Sequence, residues 1–340
     1  MTRARTILVG AGKVGAGFAD DPVMARHYPY ASHAQVLAEH PRVEWGAVVD
    51  VDPAVTSRVQ ERWGVAHAGR TVAEACVAYA PEIAVIATPP DERLRVLAEL
   101  PTVRAVLVEK PLGLDEAASR AFLDACRERD VLVLVNIWRR ADERLRQIAR
   151  ERDAMVGRVQ TAFVTYGNGL HNNGTHMIDL VRMLLGEITR VRSAPESLTD
   201  AHGPIPGDVH VAATLTLESG LTVHLAPLDF REYRENGIDV WGTHGRVSVY
   251  QEGLSTSVYP RVDNRAMTGE REIASDTPTR LDPTCGRAFW AMYDNLFAAL
   301  DGHAEPCSTG ESAMRTTRVV DLVERSARED GVSLSVDGGG

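Results

Sequence analysis

Cysteine is scarce in this chain: four in 340 residues, Cys76, Cys126, Cys285 and Cys307, far apart and with no close pair. That excludes a disulfide scaffold and suits a reduced, cytoplasmic protein. Long apolar runs are missing too, and none approaches the ~20 residues of a membrane span. The apolar stretch after Met1-Thr2-Arg3-Ala4-Arg5 is too short for a signal-peptide core. Positive charge is in deficit, with 37 Lys and Arg against 47 Asp and Glu, a net charge of −10. A general nucleic-acid or anionic-membrane partner is therefore disfavoured. The eleven histidines contain no H-x-x-x-H or comparable cluster, so no metal site is expected. No Ser-His-Asp order with a nucleophile elbow is found, nor any internal repeat. The closing Gly338-Gly339-Gly340 reads as a disordered tail.

What remains is ordinary globular composition, 44% hydrophobic and 25% charged, in a length that suggests two domains. The division is expected near residue 136. Residues 1–136 read as one domain and 137–336 as a second, with the last helices packing back on the first.

In the first part, strands and helices alternate through about six βα units, which implies a doubly wound parallel sheet. Thr6-Ile7-Leu8-Val9 reads as a buried strand, followed directly by Gly10-Ala11-Gly12-Lys13-Val14-Gly15 and then by a helical stretch. This is G-x-G-x-x-G in its meaningful context. Gly10 permits the tight turn, Gly12 lets a pyrophosphate approach the backbone, and Gly15 lets helix and strand pack. The N–H groups of the following helix N-terminus would face the phosphates. Asp50 closes the strand Trp45–Val49. An acid there would bind the adenosine ribose hydroxyls and repel a 2′-phosphate, favouring NAD over NADP. Asp52 is a second candidate for that contact. Asp50 lies further on than the usual ~20 residues, which points to an inserted segment near Asp20–His33. With its Tyr28-Pro29-Tyr30, that segment could form a loop over the cofactor or substrate.

Thr88-Pro89-Pro90 and Glu109-Lys110-Pro111 each follow a strand, at the sheet edge where ligands of open α/β folds bind. Lys110 there is a placed cation, suited to acid–base chemistry if its surroundings lower its pKa.

The second part centres on His171-Asn172-Asn173-Gly174-Thr175-His176-Met177-Ile178-Asp179. On a helix, Asn172, His176 and Asp179 form one polar stripe. A His moves protons near neutral pH, and a neighbouring Asp orients it. Strands are expected over 159–166, 209–218, 221–229, 236–242 and 245–250. With no helices between the last four, the sheet should be mainly antiparallel, one face on helices and the other open. Residues 193–208 and 260–283 read as loops. Phe289, Trp290, Tyr293, Phe297 and Leu300 recur at helical spacing and read as core. Trp138, beside Arg139 and Arg140, with Asn168, His171 and Asn172, are candidate substrate contacts.

Taken together and in order, Gly10–Gly15, the Thr88-Pro89 turn, Glu109-Lys110-Pro111 and Gly174-Thr175-His176-Met177-Ile178-Asp179 resemble the Gfo/Idh/MocA family, named for glucose–fructose oxidoreductase and inositol dehydrogenase. The resemblance covers essentially the whole chain. It implies an NAD-dependent oxidoreductase acting on a secondary alcohol or ketone of a sugar, nucleotide sugar or cyclitol. The family's E-K-P lysine lies near nicotinamide and the substrate hydroxyl, which implies that role for Lys110, with cofactor contacts from Gly10, Gly12, Lys13, Val14, Gly15, Asp50, Thr88, Pro89, Glu109 and Lys110. His176 and Asp179 match the last two positions of D-x-x-x-H-x-x-D, leaving Lys110, His176 and Asp179 as the catalytic set. Two departures stand out. Asn172 replaces the family's first acid and cannot take a proton. The turn reads Thr88-Pro89-Pro90-Asp91-Glu92-Arg93 where the family has T-P-N-x-x-H. The resemblance also implies a homodimer or homotetramer through the open sheet face. Redox-neutral NAD chemistry and a non-catalytic nucleotide sensor are the alternatives.

Overall fold

A computed structural model describes residues 2–77 and 79–338. Gly339 and Gly340 of the expected tail lie outside the described residues. Among those described, no helix is long and apolar enough to cross a membrane, and no group of His, Cys, Asp and Glu could hold a metal ion. The chain forms two compact units. The first comprises Met1–Asp142 and Gly286–Met314, the second Glu143–Cys285 and Arg315–Gly340.

The first unit is built on β1 (Ala4–Val9), β2 (Val43–Val49), β3 (His67–Gly69), β4 (Ile83–Ile86), β5 (Ala105–Val108) and β6 (Leu132–Val135), all parallel in the order β3-β2-β1-β4-β5-β6. Between them run α1 (His33–Glu39), α2 (Pro53–Trp63), α3 (Val72–Ala75), α4 (Arg93–Ala98) and α5 (Glu116–Arg127). Asp52, Thr71 and Asp115 accept from backbone N–H groups at the starts of α2, α3 and α5, which satisfies donors the helices leave open. The central strands β4 and β5 are apolar and buried throughout because both faces are covered. Ile7, Val9, Ala84, Ile86, Val106 and Val108 enter one core. Leu8, Val48, Val85, Leu107 and Leu134 enter the other.

One expectation is corrected here. No α-helix follows the glycine turn directly: residue 12 is a bend, residues 13–16 are turns, a short 3₁₀ segment covers Gly17–Asp20, and α1 begins only at His33. The chain leaves the helical path and returns to it. The His33 and Ala34 N–H groups donate to the Val14 and Gly15 carbonyls at 3.0 and 2.8 Å. Residues 16–32 are thus an excursion inserted into the first turns of a helix, and α1 satisfies the carbonyls that the insertion would have orphaned. The excursion packs on this unit: Asp20 pairs with Arg62 of α2, and the Tyr30 ring lies 4.9 Å from that of Trp290.

The second unit begins with α6 (Glu143–Val156) and β7 (Val159–Tyr166). After α7 (Thr175–Leu185) come β8 (Ile188–Ser193), the small pair β9 (Thr199–Asp200) and β10 (Val209–His210), β11 (Ala213–Leu217), β12 (Thr222–Pro227), β13 (Gly237–Gly242), β14 (Gly245–Tyr250), β15 (Ser255–Asp263), β16 (Arg271–Ile273) and β17 (Thr279–Leu281). Then α8 (Ala288–Leu300) belongs to the first unit, α9 (Gly310–Arg328) enters the second at Arg315, and β18 (Leu334–Ser335) closes the sheet. The sheet order is β16-β15-β14-β13-β7-β12-β11-β8-β18, with β17 also on β15. Every pairing is antiparallel except β12 with β7. The segments read as loops hold β9, β16 and β17. These two- and three-residue strands carry no periodic signal and exist because a partner strand stands ready beside them.

Met177, Ile178, Val181 and Leu184 of α7, with Val319 and Val323 of α9, cover the inner sheet face through Val164, Leu215, Leu225 and Val240. The outer face carries residues such as Phe163, whose ring stacks on His224. In the first unit, Phe289, Met292, Tyr293, Leu296 and Phe297 of α8 fill one core. Each such side chain contributes about 1.5–3 kcal/mol by burial.

Candidate active site

In the first unit the chemistry-bearing groups stand just past the strand ends. Gly10 follows β1 with φ +89, a conformation that favours glycine, and an added Cβ would fall 2.7 Å from the Ala87 carbonyl carbon. A Cβ on Gly15 would meet the Gly10 oxygen at 2.4 Å, whereas one on Gly12 would meet nothing. The turn is thus closed by backbone at Gly10 and Gly15 and open at Gly12, where a pyrophosphate would approach.

Asp50 and Asp52 have separate tasks. The Asp50 carboxylate accepts from the Ala11 N–H (2.8 Å) and the Asp52 N–H (3.0 Å), so it lies against the glycine turn. Asp52 accepts from the Ala54 N–H as the cap of α2. Asp50 therefore stands at the glycine turn, and Asp52 is committed to the cap of α2.

Thr88 and Pro89 follow β4, and Glu109-Lys110-Pro111 follow β5, with a cis bond between Lys110 and Pro111. Arg93 ties the two turns together: its guanidinium donates to the Thr88 and Pro111 carbonyls. It stands where the family's turn carries its last residue. Burial lowers its pKa to about 10, with Glu109 and Asp91 acting the other way, so it stays charged at neutral pH. Thr88 Oγ1 and Asn136 Oδ1 are buried and have no hydrogen-bond partner among the described residues. Orphaned polar atoms on this edge fit a polar ligand. The chain has only two lysines, Lys13 and Lys110, and the edge carries both. An open cradle at Gly12, Asp50 at the turn and these two cations fit a dinucleotide.

Glu109 has partners that sequence reasoning did not identify. Its Oε1 lies 3.0 Å from His33 Nε2 and 2.5 Å from Asn136 Nδ2, and His33 Nδ1 lies 2.9 Å from the Tyr293 hydroxyl. Burial would raise the Glu109 pKa, but His33, Asn136 and Lys110 outweigh it and hold the carboxyl below its ordinary value. Burial, aided by Glu109, pushes the Tyr293 phenol far up. His33 opens a helix that is itself displaced in sequence, so no spacing could have linked it to Glu109.

Trp138, also in the first unit, packs partly against the core, and the Arg139 guanidinium stacks 4.3 Å from its ring.

In the second unit, β7 ends at Tyr166 and the chain turns through Gly167, Asn168 and Gly169 into a π-helical turn over Leu170–Gly174 and then α7. The Gly174 N–H bonds the Gly169 carbonyl five residues back. The start of this segment is held by Asp208, buried and distant in sequence. Its carboxylate accepts from the N–H groups of His171 (3.0 Å), Asn172 (3.0 Å) and Val209 (2.8 Å). Gly169 has φ +98, and a Cβ there would lie 1.9 Å from Asp208 Oδ2. His210 Nε2 accepts from the Gly169 N–H at 3.2 Å. Burial lowers the His210 pKa against the pull of Asp208, which keeps that nitrogen an acceptor.

Of the expected site residues, Asn168, His171, Asn172 and His176 gather on this segment and the first turn of α7. Their bonding differs. His171 Nε2 lies 2.6 Å from Glu324 of α9. Asp179 is fully buried, accepts from the Thr316 hydroxyl at 2.8 Å and lies 3.6 Å from the Arg182 guanidinium. These contacts anchor α7 on α9. Sequence reasoning missed Asp208, and only its place before two β-rich residues, Val209 and Val211, marks it.

Residues 5–137 match the model of the oxidoreductase family NAD-binding Rossmann fold, and 165–336 match the model of that oxidoreductase family's C-terminal alpha/beta domain. D-apiose dehydrogenase of Paraburkholderia graminis is 26% identical over 252 residues, 66% of this chain and 65% of that enzyme, so the match spans less than two thirds of the relative's length. Among solved structures, a levoglucosan dehydrogenase complexed with NADH and levoglucosan superposes with TM-score 0.75 at 15% identity, covering 99% of this chain and 100% of that one. The WlbA dehydrogenase of Bordetella pertussis, in complex with NADH and UDP-GlcNAcA, gives 0.73 at 20%, covering 99% and 100%. At such identities these two establish the fold. The family models cover most of both units, and the chain belongs to the Gfo/Idh/MocA oxidoreductase family, with an NAD-binding Rossmann domain as its first unit.

Proposed function

We propose that this protein transfers a hydride between NAD and a secondary alcohol or ketone of a sugar, nucleotide sugar or cyclitol. The observation that carries the reading is Lys110: one of two lysines in the chain, set past β5 in a turn that Arg93 fixes, beside the ionised Glu109. D-apiose, levoglucosan and UDP-GlcNAcA in the names of similar proteins support the substrate class.

Bound NAD supplies a two-electron acceptor for the hydride. The residues around it bind and move protons. The turn at Gly10–Gly15 with Lys13 and Val14 receives the pyrophosphate, and Asp50 receives the adenosine ribose and discriminates against NADP. Thr88 and Pro89 line the same edge. On oxidation, the carbon gives up its hydride as the O–H proton passes to the Lys110 amine, leaving a ketone. His176 is the second candidate acceptor, with Asp179 to orient it. Asn172 serves as a hydrogen-bond partner for a hydroxyl. Trp138, Asn168 and His171 complete the proposed substrate contacts. The protein would work in the cytoplasm as a homodimer or homotetramer through the open sheet face.

The test is NADH formation with a panel of sugars, sugar phosphates, nucleotide sugars and cyclitols. Lys110→Met should lower turnover by about 10²–10⁴-fold and leave NADH affinity, read by fluorescence, within a few-fold. Undiminished turnover in that variant would remove Lys110 from the mechanism.

A further inference from the structure

We propose that His33 and Tyr293 are positioning residues that hold Glu109 ionised and, through it, set the protonation of Lys110. The inference rests on the reading of Lys110 as the proton acceptor.

A neutral His33 with its hydrogen on Nε2 lets the hydrogen bonds run in one direction, from Tyr293 to Glu109. Tyr293 sits in α8 with its ring fully buried, so its hydroxyl is a phenol that donates. His33 Nδ1 lies 2.9 Å away and in this tautomer accepts a hydrogen bond from it. In a neutral imidazole with Nδ1 accepting, the ring hydrogen is on Nε2. Nε2 faces Glu109 Oε1 at 3.0 Å and donates to it. The Asn136 side-chain N–H donates to the same oxygen. Glu109 thus receives two donors at one oxygen, in a site where its side chain is 12% exposed. A buried carboxylate without such donors takes up a proton.

His33 is completely buried, with the Phe289 ring 5.2 Å and the Tyr293 ring 6.0 Å from its own. It touches no solvent and acts only through Glu109. The charged and titratable groups that bear on Glu109 are His33 from α1, Arg93 from α4, Tyr293 from α8 and Lys110 beside it. The carboxylate stabilises the Lys110 ammonium. If Glu109 becomes neutral, that stabilisation is lost and Lys110 gives up its proton at lower pH.

The two-lysine composition makes this measurable without turnover. Lysine labelled with ¹³C and ¹⁵N in the full chain yields two side-chain signals to titrate by NMR, and Lys110→Met assigns one of them. His33→Leu should lower the Lys110 midpoint by about one pH unit. His33→Gln, which retains a donor toward Glu109, should restore most of it. Tyr293→Phe, which removes only the hydroxyl that selects the His33 tautomer, should give a smaller drop in the same direction, and it carries the test if His33→Leu does not fold. An unchanged Lys110 midpoint in folded His33→Leu or Tyr293→Phe overturns the proposal, as does a His33→Gln midpoint equal to that of His33→Leu. Because no substrate is needed, a protein that oxidises nothing on the panel would still report this result. A protein that does oxidise a sugar through Lys110, but shows no shift, would lose the positioning role alone.

Discussion

The two units hold their polar groups by opposite means. In the first, Gly10, Thr88, Lys110 and Asn136 stand one or two residues past β1, β4, β5 and β6. The parallel ladder fixes where each strand ends, so the groups share an edge because of local sequence. In the second, the segment from Gly167 to Gly174 has no ladder of its own to stop it. It is held by Asp208, 36 residues from Asn172, and by Glu324, 153 residues from His171. Each strand-end group is placed by the strand that precedes it in sequence, whereas the loop is placed by strangers.

Removing a stranger should therefore cost the most. Asp208→Ala leaves three N–H groups without their charged acceptor, and a loss of about 3 kcal/mol is expected in denaturant unfolding. Hydrogen exchange at His171 and Asn172 should rise far more than at β1. Uniform loss of protection across both units would mean that Asp208 does not hold this segment in particular. Gly169→Ala should mimic it, since the new methyl would fall on the Asp208 carboxylate.

On the strand-end side the corresponding change is smaller and more selective. Asp50→Ser should shift the NAD-over-NADP affinity ratio by about tenfold, near 1.4 kcal/mol, with little effect on global unfolding. If the ratio does not move, a group other than Asp50 reads the ribose.

The mildest test is pH. The His210 pKa is lowered on folding. Between that folded value and the unfolded one near 6.5, the unfolded chain binds a proton that the folded chain refuses. The stability contributed by neutral His210 is present above that window and lost as pH falls through it. His210→Gln should flatten this part of the stability profile, and an unchanged slope would place the acid sensitivity elsewhere.

Legibility followed the same division. The six parallel strands, the glycine turn and the lysine turn were readable because each has a short-range signature: buried apolar runs, G-x-G-x-x-G, and Pro beside Lys at a strand end. The helix expected directly after Gly15 was misplaced, since hydrogen bonds from His33 and Ala34 across a 17-residue excursion carry no local pattern. Asp50 and Asp52 also look alike in the sequence. Both are acids two residues apart, and only the structure shows one at the glycine turn and the other capping α2. The aromatic spacing of α8 marked it as core. That its Tyr293 hydroxyl reaches a histidine 260 residues earlier did not follow from any spacing.

By itself, then, the sequence determined two sheets of different kind, the edge on which a dinucleotide would lie, and the residue types available for proton transfer. These depend on periodicity, on glycine's freedom in tight turns and on strand ends, all of which act over a few residues. Tertiary structure alone decided which carboxylates are ionised by donors, which ones brace helices, and how the segment bearing Asn168, His171 and Asn172 is held. Those outcomes depend on burial and on hydrogen bonds between residues brought together only when the cores close.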